Sequence, residues 1–332
     1  MGHLRLIANL NLCRIFRGTE GGYKNMLGFL SSMPGAVAQG IIWGIMAIGV
    51  YITFRILDVA DLTVDGSMAT GGATMVVCVT AGMNVGLAML IAFAAGCLAG
   101  LLTGIFHTKF GIPAILAGIL TQLILYSVNL RIMSQKANMP LSVEKYNLML
   151  SLRNLPQAII VGAIFVAVII VVLYWFFGTE LGHSLRATGC NQNMARANGI
   201  NTDTNKIIGL VLSNGIVAAS GALLVQYQGF ADINMGRGAI VIGLAAVIIG
   251  EVILGKIFKN FALKLLAAVV GGIIYYIVIT LVLKAGLNAN DLKMFSAIIV
   301  ALFLALPYWK SKYNEKHMKQ SKAVKKGDNT DA

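Results

Sequence analysis

The sequence predicts an all-α, polytopic membrane protein of about nine transmembrane spans, N-terminus outside and C-terminus in the cytoplasm. Three observations carry that prediction. Of 332 residues, 58% are hydrophobic and only 12% charged, and the mean hydropathy is +0.80. Soluble domains carry about 25% charged residues. Uncharged apolar runs long enough to cross a ~30 Å hydrocarbon core recur along almost the whole length. The net charge of +13 gathers at the tail, with seven lysines between Lys310 and Lys326. Such a cluster holds a terminus on the cytoplasmic side. With only Tyr313 as an aromatic platform, it does not describe a nucleic-acid surface.

Residues 1–25 differ from the rest. They hold Arg5, Arg14, Arg17 and Lys24 and lack an apolar core of signal-peptide length. Leu6 stands where a myristoylation signal needs Ser or Thr. Glu20-Gly21-Gly22 is encodable by a strong bacterial ribosome-binding sequence shortly before Met26. Translocating four cations would oppose the positive-inside bias. The expectation is therefore a native start at Met26, a membrane domain over 26–309 and a basic tail over 310–332.

The spans are expected at about 34–54, 62–81, 86–106, 113–131, 157–178, 206–228, 237–255, 262–285 and 292–309. Counting back from the tail puts His107 to Lys109, the stretch after Gln192, and Lys256 and Lys259 in the cytoplasm. Tyr174–Trp175 and Tyr308–Trp309 then mark cytoplasmic span ends, where interfacial aromatics belong. The basic loop 132–156 comes out extracellular, and the stronger tail overrules it. In the third span Gly96, Gly100 and Gly104 form a small-residue row at helical spacing, a face on which another helix packs closely.

Between two long apolar runs lies the polar segment Gly178–Lys206. Asn191 suits the N-cap of a helix over Gln192–Asn198, and Gly199 suits the left-handed residue that ends it. Asn201 or Thr202 caps the next helix, with Asp203 in its first turn, where the dipole favours a carboxylate. Two turns of helix are too short to hold alone. A partner is expected to hold them.

Two stretches look alike: Ala60-Asp61-Leu62-Thr63-Val64-Asp65-Gly66-Ser67 and Ala231-Asp232-Ile233-Asn234-Met235-Gly236-Arg237-Gly238. Each follows one span and opens a Gly-rich apolar one. An odd number of crossings separates them, so they are expected to be related by inversion. Inverted repeats with broken helices at matching positions are a transporter signature. Asp61, Thr63, Asp65, Asp232 and Asn234 are accordingly expected to line or flank the substrate route, since irregular backbone at membrane depth needs water or protein beside it.

Other features are decoys or silent. Gly250 to Lys256 matches the start of a phosphate loop, but Ile257 replaces its Ser or Thr and the stretch ends a span. Glu251 is expected to pair with Lys256 at the interface, and Tyr275–Tyr276 to serve packing. Four scattered histidines and four cysteines without characteristic spacing imply no metal site and no disulfide framework. No catalytic triad or nucleotide site is visible, so the chain itself reads as neither an enzyme nor a cofactor carrier. No deep run of titratable residues marks a proton path, which weighs against a secondary transporter, the chief alternative class.

The coupling segment also carries a resemblance. Leu181-Gly182, Arg186-Ala187, Gly189, Asn191, Ala195 and Gly199-Ile200-Asn201 resemble the coupling-loop pattern of bacterial ABC importer permeases of the branched-chain amino acid and ribose group. Asp61-Leu62-Thr63-Val64 resembles the Asp-Leu-Ser-Val element of their sugar members, and Lys109-Phe110-Gly111-Ile112-Pro113 their short cytoplasmic turn. The resemblance covers about residues 35–309 and departs at Gly250-Glu251, where the family commonly has a Gly-Gly pair. Within the group the chain is most similar to permeases served by binding proteins for aromatic or other hydrophobic amino acids. Sugar or nucleoside permeases are the alternative. The resemblance implies an inner-membrane homodimer, a cytoplasmic ATPase dimer that binds ATP and magnesium, and an extracytoplasmic substrate-binding protein. Arg186, Asn191, Met194, Ala195, Arg196 and Gly199 are the residues it implies for ATPase coupling. Met194 and Ala195 would enter a groove on the ATPase, and Arg196 would meet its acidic rim.

Overall fold

The computed structural model describes residues 32–142, 145, 146, 148–255 and 260–284, with 294, 297, 298, 300–302 and 305. The arm 1–25, Lys256 and Lys259, most of the expected last span and the lysine tail lie outside the described residues.

The described chain is helical almost throughout. The first helix, α1 (Ser32–Ile56), ends in a π-helical stretch at Ile52–Ile56. Next come α2 (Thr63–Thr80), α3 (Val85–Thr108), α4 (Ala114–Ile132), α5 (Leu155–Phe177), α6 (Glu180–Cys190), α7 (Gln192–Ala197), α8 (Thr202–Gln228), α9 (Ala239–Leu254) and α10 (Phe261–Lys284). Six of these, α1, α3, α4, α5, α8 and α10, are long and apolar enough to cross a membrane. The stretches expected as spans at 62–81 and 237–255 are helices outside these six. At 16 residues α9 is short, and α2 is dominated by Gly, Ala, Ser and Thr, because it packs on protein rather than lipid.

The core is built around α1 and α8. They run antiparallel: Ser220 donates to the Ile42 carbonyl at 2.7 Å and Ser213 to the Gly49 carbonyl at 2.7 Å. Hydroxyls that reach across to a neighbouring backbone act as polar glue where apolar burial gives no drive. Along α8, α2 runs parallel, with Gly71 against Ala218 and Gly72 against Val225. On its other side α3 runs antiparallel, with Gly96 against Asn214, Gly100 against Leu210 and Gly104 against Ile207. An added Cβ at Gly100 would overlap the Leu210 carbonyl oxygen. That row is therefore the closest seam of the α3–α8 pair. At the other flank α10 packs antiparallel on α9, with Gly250 against Ala267, and reaches α1, where Trp43 meets Tyr276 at 5.7 Å between ring centroids. The periphery is formed by α4 and α5, whose outer faces leave large apolar side chains such as Leu123, Ile160 and Val171 exposed.

A small sheet closes one end. The strands β1 (Asn138–Pro140) and β2 (Phe230–Asp232) pair antiparallel, Asn138 opposite Asp232 and Pro140 opposite Phe230. The basic loop after α4 is thereby tied to the chain that leaves α8.

Candidate functional site

Both predicted breaks are present, and they have the same local geometry. After α1 the backbone leaves the helix at Leu57 and re-enters it at Thr63, whose N–H donates to Asp61 Oδ1 at 2.9 Å. After α8, Gly229 (φ +79°) ends the helix, and the chain passes through β2 before α9 begins at Ala239. There the Asn234 N–H donates to Asp232 Oδ1 at 2.6 Å. In each case an aspartate receives the N–H two residues on, the turn that short polar side chains favour.

The two breaks meet at Asp65. Its Oδ2 accepts from the Gly238 N–H and its Oδ1 from the Ile240 N–H, each at 2.9 Å. The first N–H groups of a helix have no partner within it. A carboxylate borrowed from the first turn of α2 therefore caps α9 and also matches its dipole.

Asp61 anchors a closed network. Its Oδ2 accepts from Asn214 Nδ2 at 2.7 Å, and Asn214 Oδ1 accepts from Ser67 at 2.6 Å. The Thr63 hydroxyl lies 2.6 Å from that of Thr103, which donates to Thr121 at 2.9 Å. Four helices, α2, α3, α4 and α8, are pinned by these contacts. Asp61 and Thr63 are buried inside the chain, held by these contacts. In contrast, Asp65 lines a cleft of about 390 Å³ between α2, α4 and the turn before α9. Asn234 is exposed and Asp232 half-buried on that same turn region. The cleft also contains Gln122, Tyr126, Asn129 and Arg237, none of which was singled out from the sequence. A signal was available: Asn129 is an amide inside an apolar span, and Arg237 a cation at a helix break.

The polar segment Gly178–Lys206 contains two short helices before α8. The second, α7, follows the capping expectations. Asn191 accepts from the Met194 N–H at 3.0 Å, Gly199 has φ +78°, and Asn201 accepts from the Asp203 and Thr204 N–H groups at 3.2 and 3.1 Å. The first, α6, was missed, although Thr179 caps it and Glu180 opens its first turn. Polar contacts fix α6 to α8, where Asn205 donates to Thr188 at 2.9 Å and Ser184 donates to Asn205 at 3.2 Å. Gly189 lies directly on the Ile56 carbonyl at the π-helical end of α1.

Three of the residues implied for ATPase coupling make contacts within their own chain. Ala195 is buried, with 2% of its surface accessible. Arg196 donates to Thr202 at 2.8 Å and pairs with Asp203 at 3.2 Å. Arg186 lies over the rings of Phe177 and Phe261, 5.3 and 4.2 Å from their centroids. Met194 is 64% exposed and is the apolar residue that α7 presents outward. On the same polar segment, a groove of about 520 Å³ is lined by Glu180, His183, Ser184, Ala187 and Ile200.

Glu251 pairs with Arg55, whose Nε donates to its two oxygens at 2.8 and 3.1 Å. The expected partner Lys256 lies outside the described residues. Among the described residues no three His, Cys, Asp or Glu side chains gather to hold a metal ion.

Comparison with known proteins completes the description. Residues 32–307 match the family described as branched-chain amino acid transport system / permease component. A tyrosine transport system permease protein of Clostridioides difficile is 40% identical over 276 residues, 83% of this chain and 91% of that one. An uncharacterized protein of Rickettsia prowazekii is 35% identical, over 82% of this chain and 95% of its own length. A fructose import permease protein of Bifidobacterium longum is 25% identical, over 80% of this chain and 74% of its own.

Proposed function

Because the chain belongs to the permease family of branched-chain amino acid transport systems, and so is a multi-pass protein of the bacterial inner membrane, we propose that it forms the transmembrane pathway of a binding-protein-dependent ABC importer for an amino acid. The observation that carries this reading is the 40% identity with a tyrosine transport permease across nearly the whole of both chains. The solute class it favours is an aromatic amino acid. Sugar permeases are similar at far lower identity.

In this reading two copies of the chain form the pathway, an extracytoplasmic binding protein delivers the solute, and a cytoplasmic ATPase dimer binds ATP and magnesium and hydrolyses the ATP. The α6–α7 segment docks the ATPase, with Met194 as its apolar contact and the groove on the same segment as its rim. Arg186, Asn191, Ala195, Arg196 and Gly199 hold that segment in shape from within. The chain makes nine crossings from outside to inside, α2 and α9 being the short elements of an inverted pair. The matching turns at Asp61–Thr63 and Asp232–Asn234 support the inversion. Asp65, Asp232 and Asn234 flank the route, while Asp61 and Thr63 hold the base of α2 that borders it.

Uptake of radiolabelled L-tyrosine by cells or proteoliposomes holding the chain with its ATPase and binding protein tests the reading. ATP-dependent uptake is expected. Uptake that persists without the ATPase would identify a secondary transporter, and uptake of fructose but not tyrosine would identify a sugar permease.

A further inference from the structure

The cleft that Asp65 lines has a composition that its structural role does not explain. Asn129 is 1% exposed, lines the cleft, and its Oδ1 has no hydrogen-bond partner. Buried amide oxygens are nearly always paired, so an orphan at a cavity wall is an acceptor waiting for a donor. Arg237 lines the same cleft with a five-donor guanidinium that, among the described residues, holds no carboxylate. Asp65 brings a negative charge. Its oxygens accept N–H groups from the start of α9, and the carboxylate also forms part of the cleft wall. Gln122 adds a second amide, and the rest of the wall is largely apolar, with Ile119, Leu123 and the exposed ring of Tyr126.

Solutes of one sign fit this arrangement poorly. A simple anion would meet Arg237 but also Asp65 and the unpaired Asn129 oxygen. A simple cation would find acceptors but face the guanidinium. A solute carrying a carboxylate, an ammonium and an apolar body matches all three features. The volume, about 390 Å³, lies in the range of small-molecule sites, roughly 300–1,000 Å³.

We propose that the cleft between α2, α4 and the turn before α9 is a recognition site for the zwitterionic backbone of an α-amino acid. Arg237 takes the carboxylate, Asn129 Oδ1 and Asp65 receive the ammonium, and Tyr126 stands beside the side chain. This deepens the amino-acid import reading and rests on it. It also makes the permease itself a second point of selection after the binding protein. Because Asp65 caps α9 as well, the arrival of an ammonium and the seating of that helix act on the same carboxylate.

The test uses the complete importer in membranes, with Cys13, Cys78, Cys97 and Cys190 replaced by Ser and a single Leu123→Cys reporter on the cleft wall. L-tyrosine at millimolar concentration is expected to slow modification of that thiol by a water-soluble reagent. Tyramine, which lacks the carboxylate, and 3-(4-hydroxyphenyl)propanoate, which lacks the ammonium, are expected to be at least about ten-fold less effective. That loss is what one charge-assisted hydrogen bond supplies. Arg237→Gln is expected to weaken protection by tyrosine about ten- to hundred-fold, with Arg237→Lys between the two. Because Arg237 is exposed, neither change should alter the amount of folded complex. Equal protection by all three compounds, or none by L-tyrosine in a complex that imports it, overturns the site and leaves the import reading standing. Failure of the complex to import any amino acid overturns both.

Discussion

Asp65 Oδ2 accepts the backbone N–H of Gly238 at 2.9 Å across 173 residues of chain. With the Ile240 N–H on its other oxygen, this one carboxylate seats the start of α9 on the start of α2. Replacing an N-cap acceptor costs ~0.5–2 kcal/mol of helix stability. Asp65→Ala is therefore expected to speed amide exchange at 238–241 more than elsewhere in α9, with Asp65→Asn between it and the native protein. Uniform exchange along α9 in both variants would mean the clamp is not what holds it.

The Asp61–Asn214 contact is expected to matter more for stability. Asn214→Ala takes away the partner of Asp61 Oδ2 and of the Ser67 hydroxyl, while Asp61 Oδ1 keeps the Thr63 N–H, and each buried group left unpaired costs ~1–3 kcal/mol. Ser67→Ala orphans one buried group, Asn214 Oδ1, and leaves Asp61 served. The melting temperature in detergent, read by tryptophan fluorescence, should fall for both variants and about twice as far for Asn214→Ala, which orphans two groups. Equal falls would show that the network acts as bulk packing.

Much of this was legible in the sequence, for identifiable reasons. Caps are local, so Asn191, Gly199 and Asn201 announced α7 and the start of α8 by residue type alone. The Gly96–Gly100–Gly104 row announced a packing face because backbone approach needs small residues at helical spacing. Long-range relations were not legible. Nothing within ten residues of Asp65 indicates that its partners are Gly238 and Ile240. Nor does Glu251 reveal a pairing with Arg55, 196 residues away. The same limit hid the burial of Ala195 and the pairing of Arg196 with Thr202 and Asp203. Burial on a six-residue helix is set by what packs against it rather than by its own period. The strand pair β1–β2 is three residues long on each side and left no alternating pattern to read.

Two glycines should separate crowding from backbone strain. At Gly100 an added methyl collides with the Leu210 backbone, and neither helix of a close-packed pair can yield easily. At Gly199 nothing lies within 4 Å, and only the left-handed φ of +78° opposes a side chain, at ~1–2 kcal/mol. Gly100→Ala is expected to lower the yield of folded protein and its melting temperature, and Gly199→Ala to lower the melting temperature modestly. The reverse order would place the tight seam elsewhere.

The last prediction separates the docking surface from its scaffold, since neighbouring residues of α7 face opposite ways. Met194 projects outward, so Met194→Asp should leave membrane insertion and melting temperature unchanged while removing ATPase co-purification. Ala195 is enclosed, and a carboxylate there would be buried without a partner. Ala195→Asp should therefore lower the melting temperature and lose the ATPase together, so its effect on coupling is secondary. Arg196→Ala removes contacts to Thr202 and Asp203 on an exposed face, where such a pair is worth about 1 kcal/mol or less. It should leave ATPase binding within about five-fold of the native level, the most that ~1 kcal/mol could pass on. Co-purification, melting temperature and tyrosine uptake measured on the three variants decide the matter. If Arg196→Ala loses the ATPase while Met194→Asp keeps it, the contact is electrostatic and α7 docks by its other face.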